Sequence, residues 1–338
     1  MWWIVVLTLL AAVSWWGYEK SHRRTRPPGS GLKTDVTLPH GQSFELYHNA
    51  FSLCSMKVRL CMAELRIPYA SHHVHLIETG SYETLSREFL AVNPAGTVPV
   101  LVHEGHPVYE SHEQIRYAAA HSPPGCPSLV PEDPALREEM ERWIDRTSLT
   151  GDPLAQGDES AGNAVPPLTL SLFATMIERI RYRSILEGLL FHIDRRRPVL
   201  FLALKAFGIH RLPKLGPIPR VLARARRQLG GHLDALEETL GERGGPWLLG
   251  DAFTLADVSW LVVFERLRQV HAIEVFLGGG HRPACAAYWE RLRKRPSYQE
   301  AILARGHPTI DYGMRRLAEA RGADDGLRAV LDGPPGGA

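Results

Sequence analysis

Hydrophobic and polar residues follow two different periods along the first third of the chain. Apolar stretches of strand length predict β-strands at residues 44–50, 69–76, 98–103 and 106–110. Segments with helical spacing of apolar residues separate or follow them, at 52–65, 81–91 and 111–120. Because Glu104 and Gly105 form a two-residue turn signal, the last two strands predict a hairpin. The predicted order over residues 43–122 is therefore β-α-β-α-β-β-α.

The pattern changes after a proline-rich break, and residues 123–134 predict an interdomain linker. Helical periodicity then continues, without any further alternating strand, to about residue 310. The clearest predicted helices are 135–149, 223–243, 254–273, 283–295 and 296–305. We therefore expect an all-helical domain over 135–310, a polar C-terminal tail over 311–338 and disorder in its last residues.

The first 26 residues contain an apolar run from Trp2 to Trp16, with tryptophan pairs at both ends, and a basic flank of Lys20, Arg23, Arg24 and Arg26. This arrangement predicts a membrane anchor, with lipid contacted by residues 2–17 and the folded domains in the cytoplasm. Sixteen apolar residues cover about 24 Å of a roughly 30 Å hydrocarbon layer, so the span is short. A cleaved signal peptide and an interfacial helix remain alternatives. Residues 27–42 predict a linker.

A second unusual segment lies at about 188–227. Between Arg195 and Arg227 there are ten Lys or Arg residues and no Asp or Glu, interleaved with apolar residues. Apolar faces flanked by basic residues are typical of helices that lie on anionic lipid, so residues 195–227 are a second candidate lipid contact. The alternative is a long insertion between helices, partly packed on the bundle.

Composition narrows the function classes. A chain of 338 residues is long enough for two domains, and a net charge of +2 argues against a nucleic-acid partner. The four cysteines, Cys54, Cys61, Cys126 and Cys285, lie too far apart to predict a disulfide framework or a zinc site, and they fit a reducing compartment. His72, His73 and His75 alternate along one predicted strand, so no metal site is expected.

The predicted order of elements, with "NPAGTVPVL" (93–101) before the hairpin and "YESHEQI" (109–115) after it, resembles the glutathione S-transferase superfamily. Within it, "LYHNAFSLCSMKVRLCMAEL", the basic insertion and "PWLLGDAFTLADVSWLVVFERL" look most like the ganglioside-induced differentiation-associated protein 1 branch. The resemblance implies an α/β thioredoxin-like N-terminal domain followed by an all-α C-terminal bundle. Vertebrate members of that branch carry their anchor at the carboxyl end, whereas here it precedes the first domain.

The resemblance also implies glutathione as the ligand. In this superfamily the bond before the proline that corresponds to Pro99 is cis, and the backbone of Val98 pairs with the cysteinyl unit of glutathione. The γ-glutamyl end carries a carboxylate and an ammonium group. Ser111, at the start of a predicted helix, suits the carboxylate, and Glu110 suits the ammonium group. Ser111 is also a candidate cap for that helix.

Chemistry on glutathione needs a thiolate, and a thiol with a pKa of about 8.5 is mostly protonated at neutral pH. Ser52 matches the catalytic serine of serine-type transferases, whose hydroxyl donates a hydrogen bond to sulfur, and it is equally a candidate helix cap. Cys54 matches the position of the catalytic thiol in cysteine-type members, but those members usually continue with Pro, where this chain has Ser55. Tyr47 lies too early in its strand and is expected to pack.

Thr254 and Asp257 have the spacing of a capping box, to which we assign no chemistry.

These features predict a membrane-tethered transferase that ionises glutathione at Ser52 for attack on an apolar electrophile. Two alternatives stay open: a glutathione-fold adaptor or sensor with little turnover, and a glutathione-dependent disulfide reductase that uses Cys54. Transferases of this fold commonly pair through both domains, so a homodimer is a further candidate.

Overall fold

The computed structural model describes residues 1–149, 160–192 and 194–333. A long N-terminal helix, α1 (Trp2–His22), precedes a domain built on a five-stranded sheet and then a helical domain. The strands are β1 (Gly31–Leu32), β2 (Phe44–His48), β3 (Ala70–His73), β4 (Val100–His103) and β5 (His106–Tyr109). The helices of this domain are α2 (Leu53–Glu64), α3 (Arg87–Val92) and α4 (Ser111–Ala120).

The sheet has the order β1-β5-β4-β2-β3, and only β2 and β3 run parallel. Leaving out β1, the elements follow the predicted β-α-β-α-β-β-α order, which confirms the thioredoxin-like architecture. Side chains alternate between the two faces of the sheet. Leu46 and Leu101 belong to the large core shared with α2 and α4, whereas Val100 and Val102 contact a smaller cluster around Phe89 of α3.

The predicted linker over 27–42 is wrong in part, because this segment is attached to the sheet. Gly31 and Leu32 pair antiparallel with Tyr109 and Val108, which adds β1 at the edge of the sheet. Leu38 is buried in the smaller core. The added strand covers backbone groups of β5 that would otherwise lie unpaired at an edge.

The helical domain contains eleven α-helices in the described part of the chain. They are α5 (Pro134–Thr147), α6 (Ala161–Met176), α7 (Tyr182–Phe191), α8 (Arg196–Phe207), α9 (Ile218–Arg243), α10 (Leu255–Gln269), α11 (Ile273–Leu277), α12 (Pro283–Leu292), α13 (Pro296–Ala301), α14 (Pro308–Ala323) and α15 (Asp325–Asp332). Helix α10 lies at the centre and is buried at every residue except Arg268. It contacts α2, which fixes the two domains against each other.

The predicted capping box at the start of α10 is confirmed. The buried Asp257 carboxylate accepts hydrogen bonds from Thr254 N (2.7 Å) and from Thr254 Oγ1 (3.0 Å). It also accepts from Leu248 N (2.9 Å) and from the Tyr288 hydroxyl (2.7 Å). A single carboxylate therefore joins the start of α10 to the preceding loop and to α12.

Two predictions for the helical domain need correction. Helix α6 was not predicted as a separate element, and Pro166 and Pro167 lie inside it, in its second turn, where each removes a backbone N–H donor. The predicted tail over 311–338 is wrong for its described residues, which form most of α14 and all of α15, with Leu317 and Leu327 fully buried. Residues 334–338 lie outside the described residues.

The basic insertion is helical and partly packed. It comprises the end of α7, all of α8 and the first turns of α9 in the described residues. Phe201, Leu204 and Leu222 are buried, so the segment contributes to the bundle core as the packed alternative predicts.

Helix α14 approaches α6 closely at Gly313. A methyl group on Gly313 would lie 2.4 Å from Met176 Cγ. We expect Gly313→Ala to lower the free energy of unfolding by about 1–3 kcal/mol, because the helices must move apart. Gly322→Ala in the same helix, where nothing lies within 4 Å, is the control and should stabilise slightly. Equal effects in urea unfolding would contradict this account of the α6–α14 contact.

Four histidines meet where the sheet contacts the start of α14. The rings of His48 and His73 lie 6.1 Å apart, and His307 stacks on His73 at 6.0 Å and lies 6.1 Å from His75. Arg59 Nη1 lies 3.2 Å from His48 Nδ1. Burial, followed by this guanidinium, lowers the pKa of His48 to about 3. Burial also lowers the pKa values of His73 and His307.

Because the folded-state pKa of His48 lies below the unfolded value of about 6.5, the unfolded chain takes up a proton first as the pH falls. Stability contributed by neutral His48 is therefore present above about pH 6.5 and is lost progressively toward pH 3. We expect the urea midpoint to fall between about pH 7 and pH 5, and His48→Gln to flatten this dependence. His121→Gln, at an exposed histidine, should keep the wild-type dependence. If the urea midpoint depended on pH identically in the wild type and both variants, His48 would not be the source of this dependence.

Candidate active site

Three chain segments meet at one end of the strands β2, β4 and β5. Leu101 pairs with Val108, and Tyr47 pairs with Val100, so β2 and β5 end where β4 begins. The segments after β2, before β4 and after β5 therefore lie side by side. They carry the predicted site residues Ser52, Cys54, Val98, Pro99, Glu110 and Ser111.

Ser52 caps α2 and also faces Val98. Its Oγ accepts a hydrogen bond from Ser55 N at 3.2 Å, so its predicted role as helix cap is confirmed. The same hydroxyl donates to the Val98 carbonyl at 3.4 Å. This second bond is long compared with the 2.5–3.0 Å usual between two oxygens. The hydroxyl proton is therefore weakly held and can turn toward another acceptor at little cost.

Buried side chains fix the loop that carries Ser52. Asn49 Oδ1 accepts from Phe51 N at 2.8 Å, and Arg59 Nη1 donates to the Asn49 carbonyl at 2.9 Å. Arg266, from α10, donates to the Phe51 carbonyl and lies 4.0 Å above the Phe51 ring. Burial lowers the pKa of Arg266 to about 10. The helical domain thus holds the loop between β2 and α2 directly.

The bond between Val98 and Pro99 is cis, as the resemblance implies. Among the described residues, no acceptor receives the Val98 N–H, and only the long bond from Ser52 reaches its carbonyl. Gln114, on α4, donates to the Pro99 carbonyl at 2.9 Å and to the Val108 carbonyl at 2.8 Å. The peptide unit of Val98 is therefore held by its neighbours while its own donor stays free.

The start of α4 differs by one residue from the prediction. Glu110 is the capping position, with φ of +69° and no side-chain cap bond, and Ser111 is the first helical residue. The prediction that Ser111 caps α4 is wrong. A positive φ at a residue other than glycine is costly and tends to be kept where a site needs it. Ser111 is 7% exposed, and its hydroxyl has no hydrogen-bond partner among the described residues.

Cys54 is the second residue of α2 and a free, partly exposed thiol. Lys57 follows one turn later on the same helix and is only 4% exposed. Burial lowers the pKa of the Lys57 ammonium, and the neighbouring Cys54 opposes that shift.

A cavity of about 290 Å³ opens beside Val98. Residues 95–98 line one side of it, together with Tyr82. His192 and Arg197, from the basic insertion, line the other side. Arg197 Nη2 lies 3.1 Å from Glu78 Oε1. The insertion therefore forms part of the wall next to the candidate ligand position.

The tyrosine and the three histidines that the sequence analysis discussed make their contacts apart from this group of site residues. Tyr47 stacks on His72 at 4.5 Å and contacts Phe89, consistent with the packing role expected of it. His72 Nε2 lies 2.8 Å from Glu45 Oε2, and His73 and His75 contact each other. In the part of the chain that the structure describes, no three His, Cys, Asp or Glu side chains are arranged to hold a metal ion.

Sequence reasoning missed Arg266, Gln114 and Lys57. Lys57 and Arg266 are each a polar side chain on a helix that is mostly buried, which is a weak signal of a buried contact. Arg266 and Gln114 bond to backbone carbonyl groups, so no spacing of side-chain types identifies them.

Two models of known protein families match this chain, one in each of its two domains. The family model of the glutathione S-transferase N-terminal domain matches residues 51–121, and that of the C-terminal domain matches residues 219–291. Among solved structures, the β-etherase LigF from Sphingobium sp. strain SYK-6 has a TM-score of 0.60 and 20% identity. The match covers 78% of this chain and 100% of that chain, and at this identity it supports the fold alone.

Two curated relatives match over most of their own length. The 2,5-dichlorohydroquinone reductive dechlorinase of Sphingobium indicum is 27% identical over 316 residues, covering 82% of this chain and 87% of the relative. Glutathione S-transferase TCHQD of Arabidopsis thaliana is 28% identical over 260 residues, covering 76% of this chain and 89% of the relative. These relatives give no support to the closer resemblance to the ganglioside-induced differentiation-associated protein 1 branch. Because both of its domains match the corresponding models in the same order, the chain belongs to the glutathione S-transferase superfamily.

Proposed function

We propose that this protein is a glutathione-dependent transferase that ionises the glutathione thiol at Ser52 for attack on an apolar electrophile. One observation carries the proposal. The Ser52 hydroxyl, at the N-terminus of α2, lies beside a Val98 peptide unit whose N–H is free among the described residues. A cysteinyl unit paired with Val98 would therefore hold its sulfur next to that hydroxyl.

Recognition of glutathione follows from the backbone and from α4. The Val98 N–H and carbonyl offer one donor and one acceptor, as a strand edge does to an added strand. The free N–H groups at the start of α4 and the Ser111 hydroxyl suit the γ-glutamyl carboxylate. Glu110 is exposed and negatively charged at neutral pH, which suits the ammonium group.

Ionisation of the thiol follows from Ser52. Its oxygen is already engaged by Ser55 N, so the hydroxyl proton points away from the helix. A hydrogen bond to the thiolate favours the charged form and lowers the thiol pKa. The positive end of the α2 dipole acts in the same direction. Ser52 thus acts as a donor to sulfur and not as a nucleophile.

The electrophile class is taken from one of the relatives. Since the Sphingobium indicum relative is named for reductive dechlorination of 2,5-dichlorohydroquinone, we propose a halogenated aromatic compound as the second substrate. The cavity beside Val98 offers apolar contacts from Leu76, Ile77 and Leu85, with His192 and Arg197 of the basic insertion on its lining.

A disulfide-reductase function is the second candidate, and Cys54 supports it. The thiol is partly exposed at the start of α2, with Lys57 one turn away. In this alternative the Cys54 thiolate attacks a mixed disulfide of glutathione and a substrate thiol, which releases the substrate thiol and leaves glutathione bound to Cys54 as a disulfide. A second glutathione then attacks that disulfide, which regenerates the Cys54 thiol and releases oxidised glutathione.

A third candidate is an adaptor or sensor that binds glutathione with little turnover. The insertion motivates it, because Arg197 and His192 line the cavity beside Val98 and occupy space that a second substrate would use. A shared fold does not by itself ensure activity.

Product analysis on the full chain separates the three candidates. Purified protein in mild detergent is incubated with glutathione and either 2,5-dichlorohydroquinone or a generic aryl chloride, and chloride release and glutathione conjugates are measured. A conjugate formed in step with chloride supports the transferase, whereas chloride formed with oxidised glutathione in place of a conjugate indicates reductive dechlorination. A parallel incubation supplies the mixed disulfide of glutathione and 2-mercaptoethanol, and oxidised glutathione formed there, with no chloride release from the aryl chloride, supports the reductase. Glutathione binding without turnover in either incubation supports the sensor.

We further propose that α1 tethers the enzyme to a membrane. Among the described residues, it is the one helix that is long and apolar enough to cross a bilayer. Its 21 residues extend about 32 Å, close to the roughly 30 Å hydrocarbon layer, so the helix is longer than its apolar run alone suggests. Placement of the folded domains in the cytoplasm rests on the basic flank, Arg23 to Arg26. Assignment to the ganglioside-induced differentiation-associated protein 1 branch and pairing of two chains stay predictions.

A further inference from the structure

Exposed apolar side chains outside α1 concentrate on two neighbouring helices. In the described part of the chain beyond α1, large apolar residues that are at least 36% exposed occur at three scattered positions, Leu32, Leu149 and Leu303. The others all lie on α7 and α8, and we call them the α7–α8 surface. It comprises Tyr182 (53% exposed), Leu186 (50%), Leu190 (46%), Val199 (56%) and Phe207 (60%).

On α7 the exposed residues form one stripe. Tyr182, Leu186 and Leu190 are spaced four apart, so they lie on one side of the helix. The other side is seated firmly, because a methyl group on Gly188 would lie 2.3 Å from the Tyr82 ring. Helix α7 is therefore fixed with the stripe facing outward, and about half of each of the three side chains stays exposed in the described part of the chain.

The α7–α8 surface is continuous with the base of α1. Trp15 meets the Phe191 ring edge-on at 6.5 Å, and Arg23 Nη1 lies 3.0 Å from Glu187 Oε1. These contacts involve only the last part of α1. Large apolar side chains from Trp2 to Val13 are all at least 44% exposed, so the first half of α1 projects away from the folded domains.

Positive charge surrounds the same region. Seven basic side chains between residues 195 and 227 are exposed: Arg195, Arg196, Arg197, Arg211, Lys214, Arg220 and Arg227. Arg196 and Arg197 also pair with the carboxylates of Asp194 and Glu78. At the end of α1, a cavity of about 610 Å³ is lined by His22, Arg24, Arg26 and Arg87. The side chains of Arg24 and Arg26 have no partner among the described residues. An apolar surface with a basic rim is complementary to the interface of an anionic bilayer.

We infer that the α7–α8 surface lies on the headgroup region of the anionic bilayer that α1 enters, so that the enzyme is held at two places. The inference rests on the proposed tether. Helix α1 supplies the hydrocarbon anchor, and the stripe inserts shallowly beside it. The cavity lined by Val98 and Arg197 then lies next to the membrane contact, because Arg197 belongs to α8. Apolar substrates dissolved in lipid would reach the site from this side.

Site-directed fluorescence on the full chain tests the inference. Single cysteines at Leu190, Leu10, Leu149 or Leu303 are labelled in a protein whose partly exposed Cys54 and Cys126 are replaced by serine. Labelled protein is reconstituted in vesicles of phosphatidylcholine, with or without phosphatidylglycerol. Quenching is compared among lipids that carry a spin label near the headgroup, lipids that carry it in the middle of the acyl chain, and iodide in the water. Leu10 reports on the tether, and Leu149 and Leu303 serve as exposed controls outside the α7–α8 surface.

We expect the Leu190 label to be quenched by the lipid several-fold more than either control, and more strongly when phosphatidylglycerol is present. A Leu10 label quenched by lipid beside a Leu190 label that behaves like the controls would overturn the inference while leaving the tether intact. A Leu190 label protected from both lipid and iodide would instead indicate a second copy on this surface and would also overturn it. No lipid quenching at Leu10 would overturn the tether and the inference together.

Discussion

Ser52→Ala is expected to lower kcat/KM for conjugation of an aryl chloride by roughly 10- to 100-fold, because a hydrogen bond to a charged group contributes about 1.5–3 kcal/mol. The pH at which half of the bound glutathione is ionised should rise by about one to two pH units for the same reason. The ultraviolet absorbance of the thiolate, followed against pH, measures this directly. The lower kcat/KM and the higher thiol pKa have one cause, the loss of the Ser52 hydroxyl. Without glutathione, this hydroxyl makes a long hydrogen bond of 3.4 Å to the Val98 carbonyl.

Loss of the α2 cap accompanies this substitution, so stability needs a separate control. Removing a cap costs about 1 kcal/mol, which leaves the protein folded. Cys54→Ser is the matched variant in the first turn of the same helix, and we expect it to keep conjugation within a few-fold of the wild type. The reverse result, activity lost in Cys54→Ser and kept in Ser52→Ala, would favour the reductase.

Asp257→Ala is expected to lower the free energy of unfolding by about 3–5 kcal/mol, the largest stability change we predict. The carboxylate accepts four hydrogen bonds inside the helical domain, two of them from Thr254. Alanine leaves these donors buried without an acceptor. Since α10 also carries Arg266, which holds the loop before Ser52, glutathione-dependent activity should fall as well.

Urea unfolding of the full chain in mild detergent measures the change. Asp251→Ala is the matched control, because Asp251 lies in the same loop but is exposed, and we expect a change within about 0.5 kcal/mol. Equal stability of the two variants would show that the Asp257 network does not support the domain as described.

Local signals in the sequence were sufficient where a residue acts through its own neighbourhood. Ser52 precedes a helical pattern, and Thr254 and Asp257 have capping-box spacing. Both features depend on contacts within a few residues, and the structure contains both caps. The cis bond before Pro99 was implied by the family resemblance and not by any local signal, and the structure contains it.

Contacts between distant segments were not predictable from the pattern. Arg266 reaches the Phe51 carbonyl from a residue 215 positions away in sequence, and the buried end of the chain depends on packing of α14 against α6. Two polar segments were wrongly predicted to lack regular structure. Residues 27–42 contribute an edge strand. The polar C-terminal region forms α14 and α15, because one stripe of each helix is apolar.

The central claim is that glutathione pairs with the Val98 peptide unit, and hydrogen–deuterium exchange of a peptide covering residues 97–101 tests it most directly. The Val98 N–H has no acceptor among the described residues, and Pro99 contributes no amide. With saturating glutathione, deuterium uptake by this peptide should fall by about one amide, while a peptide from α15 stays unchanged. Unchanged uptake at Val98, at glutathione concentrations that saturate binding or turnover, would contradict the account.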